Sequence, residues 1–182
     1  MPIYIALLRG INIGPHKRMK MEKLVACCAA CGFSGAKTYI QSGNVVLKAS
    51  KMSPEKLSQT LAAQIAADFG FSADVISRTK DELGSIIKNN LLLKEPGIAS
   101  EKLHVLFLPQ PAPSEAIKKL QSVVLPPDRA VVAKKEIYLY FPKGVSGSSV
   151  WKHPFDKVLE VSSTMRNWNT VNKLFEMAEE FK

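Results

Sequence analysis

Ten residues, Arg9-Gly-Ile-Asn-Ile-Gly-Pro-His-Lys-Arg18, bring three cations, an Asn and two glycines together. These types suit anion binding. Guanidinium and ammonium groups pair with phosphate or carboxylate, amides orient it, and glycines free the backbone. An apolar run, Ile3–Leu8, precedes the segment, and helical spacing of apolar residues begins near Lys20. A loop feeding a helix N-terminus also offers free N–H groups and the positive end of the helix dipole. A second polar cluster, Thr164-Met-Arg-Asn-Trp-Asn-Thr170, holds an Arg, two Asn and a Trp. Asn167, Asn169 or Thr170 can cap the helix that follows. Capping does not require the Arg and the Trp as well.

Other chemistry finds less support. The chain lacks a G-x-x-x-x-G-K-[ST] phosphate loop and a G-x-G-x-x-G dinucleotide fingerprint, and no cofactor is expected. Cys27, Cys28 and Cys31 fall within a turn and a half of one helix, among alanines. They read as small core residues rather than a redox pair, which needs its thiol at an exposed helix start. His16, His104 and His153 are isolated, so no metal site is expected. Gly147-Ser148-Ser149 lacks the nucleophile-elbow pattern, although the loop Pro142–Ser149 offers hydroxyl and N–H donors. Ile3–Leu8 partly resembles the first-strand motif of RNA-recognition domains. Val45–Lys48 carries none of the aromatics that such a domain stacks on bases.

The elements that must position these residues follow from periodicity. Ile3–Leu8 reads as a strand, and Lys20–Cys31 as a helix ended by Gly32. Lys37–Gln41 and Val45–Lys48 read as a hairpin around Ser42-Gly43-Asn44. Ser53-Pro54 opens a helix that Gly70 closes, and Ala73–Ser77 is a strand. Asp81–Asn90 is a connecting helix and Lys94–Ser100 a linker. A similar order then returns: strand Leu103–Leu108, helix Ser114–Val123, strands Ala130–Ala133 and Ile137–Phe141, helix Val150–Leu159. A last helix carries Val171, Leu174, Phe175, Ala178 and Phe181 on one stripe. The expectation is an α+β fold of two ferredoxin-like β-α-β-β-α-β halves with an additional C-terminal helix. The halves span residues 1–79 and 101–182, joined by 80–100.

At 182 residues and 46% hydrophobic, the chain can build a sizeable core. No apolar run approaches the roughly 20 residues of a membrane helix, and the start does not read as a signal peptide. A cytoplasmic protein without a membrane partner is expected. The net charge of +9 is uneven. Residues 1–52 hold eight cations and one acid, whereas 53–100 are slightly acidic and 101–182 mildly basic. That first quarter can attract nucleic acid, a phosphate-bearing molecule or an acidic partner.

Arg9–Gly14, Lys20–Leu24, Thr38–Val45 and Thr164–Val171 are similar to motifs of a bacterial family, domain-of-unknown-function family 1697. Its members carry R-G-I-N-V-G-G, K-M-x-x-L, T-Y-I-Q-S-G-N-V and T-x-R-N-W-N-T-V. The resemblance spans the chain and implies a duplicated ferredoxin-like fold, but no reaction. Pro15 stands where a second Gly is usual, and Lys17 where Asn is common. Cys27 and Cys31 occupy usually aliphatic positions, which agrees with a core role.

The leading expectation is a small anionic ligand in a cleft between the halves. Arg9, Asn12, Arg18, Gln41, Asn44, Arg166 and Asn167 are the candidate lining, with arginines pairing the anion and amides orienting it. Binding or catalysis stays open, as does oligomeric state. The alternatives are weak, sequence-independent nucleic-acid binding by the basic first quarter and a protein-interaction or oligomerisation module without a ligand.

Overall fold

A computed structural model describes residues 1–181. The opening apolar run forms β1 (Ile3–Leu8). Tyr4 to Leu8 are all buried, the pattern of a strand covered on both faces. After the basic loop comes α1 (Met21–Ala30). The hairpin forms from β2 (Ser34–Tyr39) and β3 (Asn44–Lys48). At its turn Gly43 has φ +77°, and an added Cβ would stand 2.6 Å from Leu8 Cβ, so only glycine fits. α2 (Pro54–Phe69) begins with Pro at its first position. Ser53 Oγ accepts from Lys56 N–H at 3.2 Å, and Gly70 closes the helix in the left-handed conformation. β4 (Val75–Thr79) and α3 (Lys80–Lys88) follow. The strands join as an antiparallel sheet in the order β2-β3-β1-β4.

The second half repeats this order. It comprises β5 (Leu103–Phe107), α4 (Ser114–Val123), β6 (Arg129–Ala133), β7 (Glu136–Tyr140), α5 (Phe155–Leu159), β8 (Thr164–Asn167) and α6 (Trp168–Glu179). Its sheet runs β6-β7-β5-β8, strand for strand the arrangement of the first. The fold is α+β and duplicated, as expected.

One local reading needs correction, and one polar segment forms a strand besides its cap. Val150–Leu159 is not one helix but a 3-10 turn, Ser149–Lys152, followed by the short α5. Pro154 separates them, because its ring and missing N–H prevent helical continuity. Thr164–Asn167 is more than a capping loop. It is a strand on β5, in register from His104↔Asn167 to Phe107↔Thr164. Four mostly polar residues carry no alternation signal, and the neighbouring strand supplies the preference.

The duplication also extends one element further than β-α-β-β-α-β. In each half a helix follows the fourth strand directly. Before α3, Thr79 Oγ1 accepts from Glu82 N–H at 3.1 Å and Glu82 Oε2 from Thr79 N–H at 2.8 Å, a capping box. Before α6, Asn167 Oδ1 accepts from Thr170 N–H at 2.8 Å.

The chain divides into two compact units, Met1–Ser85 with the chain from Lys173 onward, and Ile86–Asn172. In the first, Leu24 and Cys28 of α1 and Leu57, Leu61 and Ile65 of α2 pack on Tyr4, Ala6, Leu8, Val45 and Leu47. Phe181 lies beneath the Lys37 and Lys48 ammonium groups, 5.2 and 5.6 Å from its ring centre. In the second, Leu106, Leu139 and Phe141 meet Leu120, Val158 and Leu159. Cys27 and Cys28 are buried and Cys31 is half-buried; all three are free thiols. Burial pushes Cys27 and Cys28 up to about 12 and raises Cys31, with nearby Asp68 adding to the effect at Cys27 and Cys31. Held as protonated thiols at neutral pH, they serve as small apolar packing groups.

Candidate functional site

The basic loop is folded around one amide. Asn12 has φ +55°, a conformation Asn tolerates better than most residues. Its backbone N–H donates to Lys17 C=O at 3.1 Å. Its Nδ2 donates to Met19 C=O at 2.9 Å and Gln41 C=O at 2.8 Å, and its Oδ1 accepts from Met19 N–H at 2.8 Å. This side chain therefore ties the end of the loop to the β2–β3 turn. Both its N–H groups are engaged, so Asn12 shapes the site rather than orienting a ligand.

The tie frames a concavity of about 580 Å³ in the first unit. Arg18, Lys20 and Lys23 supply its cations, Glu22 its carboxylate, and Gln41 a second amide beside Asn12. Met19, Met21 and Phe69 form its apolar wall. Arg18, Lys20 and Lys23 have no ion-pair or hydrogen-bond partner among the described residues. The backbone places the start of α1 here as well. Lys20 occupies the capping position with φ −74° and ψ 138°, and its side chain makes no capping bond. The N–H groups of Met21, Glu22 and Lys23 consequently lack an intrahelical or capping partner. The start of α2, closed by Ser53, has no such vacancy at its third N–H.

Arg9 lies apart, in a smaller concavity of about 310 Å³ with Lys17 and Asp74. Its Nη1 meets Asp74 Oδ2 at 3.5 Å and its backbone N–H donates to Asp74 C=O at 2.9 Å. Lys17 Nζ donates to Ser72 C=O at 2.8 Å. Both cations are thus already engaged. Asn44 is fully buried and donates to Tyr39 C=O and Ser42 Oγ, which fastens the hairpin.

Arg166 and Asn167 line neither concavity. Asn167 caps α6. Arg166 Nη1 donates to Thr164 Oγ1 and to Met165 C=O, both at 2.9 Å. Burial lowers its pKa to about 10, which leaves it protonated at neutral pH. The first half carries a counterpart. Arg78 pairs with Ile5 in register as Arg166 pairs with Val105, and its Nη1 donates to the preceding carbonyl, Ser77 C=O, at 2.8 Å. An arginine on the fourth strand, bonded to its own backbone, is a device that the fold uses twice.

Of the candidate residues, the structure therefore gathers Asn12, Arg18 and Gln41. It adds Lys20 and Lys23, whose signal was the charge imbalance of the first quarter, and Phe69, whose apolar helix stripe with Leu57, Leu61 and Ile65 reads as core and not as a site. Among the described residues no group of three or more His, Cys, Asp or Glu could hold a metal, and no helix is long and apolar enough to cross a membrane. The chain resembles the conserved bacterial protein SP0830 from Streptococcus pneumoniae, with a TM-score of 0.77 and 22% identity, over 97% of this chain and 98% of that one. At that identity the likeness concerns the fold. No curated protein matches the chain. The model of the family described as Protein of unknown function (DUF1697) matches residues 1–138, and the chain belongs to that family.

Proposed function

We propose that the first unit binds a small anion at the N-terminus of α1. The observation that carries this reading is the concavity in which Arg18, Lys20 and Lys23 stand without partners beside uncapped N–H groups. Arg18 presents a planar fork that matches two oxygens of a phosphate or carboxylate. Lys20 and Lys23 add charge without fixed geometry, and the helix dipole acts in the same sense. Gln41 supplies a side-chain amide at the rim. Glu22 is the one carboxylate in the lining, so the net charge of the site stays positive. Cations and amides without a paired base and nucleophile suit binding and orientation better than bond cleavage.

The test is thermal unfolding with inorganic phosphate and pyrophosphate at constant ionic strength. A bound anion stabilises by about 2.7 kcal/mol at a hundredfold excess over Kd. The Arg18→Gln, Lys20→Gln, Lys23→Gln triple variant should lose that shift. No shift in the parent protein, or an equal shift in the variant, overturns the proposal. Duplex or single-stranded DNA that binds through these residues with a steep loss in salt would instead favour the nucleic-acid reading.

A further inference from the structure

The concavity is larger and more apolar than a bare ion requires. Its volume of about 580 Å³ falls in the range of ~300–1,000 Å³ typical of pockets that enclose whole organic ligands. The lining divides by chemistry. The cations come from the end of the loop and the first turn of α1. The apolar wall comes from Met19 and Met21 together with Phe69, the last residue of α2. Met21 and Phe69 are each half-buried and leave part of their surface open. Phe69 is supported from behind by Phe71, with ring centres 5.7 Å apart. A thioether beside a supported ring adapts to a flat apolar body. A hydrated inorganic anion would leave this wall in water and gain nothing from it.

Two exposed apolar residues stand next to lining residues, outside the lining itself. Ile40, in the turn that presents Gln41, has φ +48° and is 53% exposed. A β-branched residue in the left-handed region is strained. Ile13, next to Asn12, is 74% exposed. Both apolar side chains belong to the two segments that Asn12 ties together.

We propose that the site takes an organic phosphate ester of about nucleotide size. Its phosphate lies against Arg18 and the free N–H groups of α1, and its planar body against Met21 and Phe69. A phosphate, with three terminal oxygens and up to two charges, matches three cations and three N–H groups better than a carboxylate does. This inference rests on the anion reading above and adds the nature of the body attached to the anion.

The experiment is calorimetric titration of the full chain with inorganic phosphate, phenyl phosphate and adenosine 5′-monophosphate at one ionic strength. Covering ~55 Å² of apolar surface is worth about tenfold in affinity, so both esters should bind at least about tenfold tighter than inorganic phosphate. Met21→Ala and Phe69→Leu should each cut that advantage, read as the ratio of ester to inorganic-phosphate affinity within the same variant, to about threefold or less. The two variants act on different helices, and their melting curves report whether each stays folded. Equal affinity for ester and inorganic phosphate overturns the inference and leaves the anion site standing, as does an advantage that survives both substitutions. Absence of binding by all three probes overturns the inference and the anion site together.

Discussion

The segment around Arg18 and the segment around Arg166 look alike as text, each combining arginine with asparagine, yet they differ in how their polar groups are used. At Thr164–Thr170 the arginine bonds to Thr164 and Met165 of its own strand, and Asn167 caps α6. At the basic loop one residue, Asn12, does the structural work through three side-chain bonds. The cations after it, Arg18, Lys20 and Lys23, are left without partners around a concavity. A polar cluster is scaffold when its groups satisfy the local backbone. It becomes a candidate site when that satisfaction is complete and charge is left over.

The sharpest way to break this contrast is Arg166→Ala. It strips partners from the hydroxyl of buried Thr164 and the carbonyl of half-buried Met165, and leaving buried groups unpaired costs about 1–3 kcal/mol each. Chemical denaturation should therefore register a loss of about 2–3 kcal/mol, with phosphate binding unchanged. A variant as stable as the parent, but unable to bind, would reverse the assignment of the two segments.

Asn12→Ala comes next. It deletes the tie between loop and hairpin turn and places Ala at φ +55°, for an expected loss of about 2 kcal/mol. Here stability and phosphate binding should fall together, because Asn12 shapes the concavity. Full binding in this variant would show that the tie does not frame the site.

Two caps then give effects of similar size and opposite sign. Asn167→Ala removes the cap of α6 and should cost about 1 kcal/mol. Lys20→Ser adds a cap to α1 and should stabilise the apo protein by about 0.5–1 kcal/mol, while the phosphate-induced rise in Tm shrinks. A rise that persists in Lys20→Ser places the anion away from the α1 N-terminus.

The smallest change in stability is expected at Arg18, an exposed cation. Arg18→Ala should leave the apo protein within about 0.5 kcal/mol of the parent, yet weaken phosphate binding. A large loss of apo stability would mean that Arg18 is scaffold, like Arg166.

Most of the fold was legible in the chain. Ile3–Leu8 and Ser114–Val123 have the bounds that periodicity assigns, and Pro54 and Gly70 mark the ends of α2. These signals are local, since a run of one period or a residue with a special φ needs no distant partner. β8 was not legible, because a short polar strand exists by virtue of β5 beside it. The extended repeat was also hidden. Arg78 and Arg166 match in register and in bonding, but their neighbours differ, Ser77 and Thr79 in one case and Met165 and Asn167 in the other.

The sequence by itself determined most of the element order, the two-half repeat, the basic first quarter and the pool of residues able to hold an anion. Those follow from side-chain type and spacing, which act over a few residues. Tertiary structure decided which members of that pool keep free valence. Arg9 meets Asp74 and Asn12 meets the Gln41 carbonyl only once distant segments come together, and Phe69, some fifty residues beyond Arg18, reaches the same concavity only once α1 and α2 pack on one sheet face. Hydrogen-bond satisfaction and cavity formation depend on groups distant in the chain, and no local pattern of residues records them.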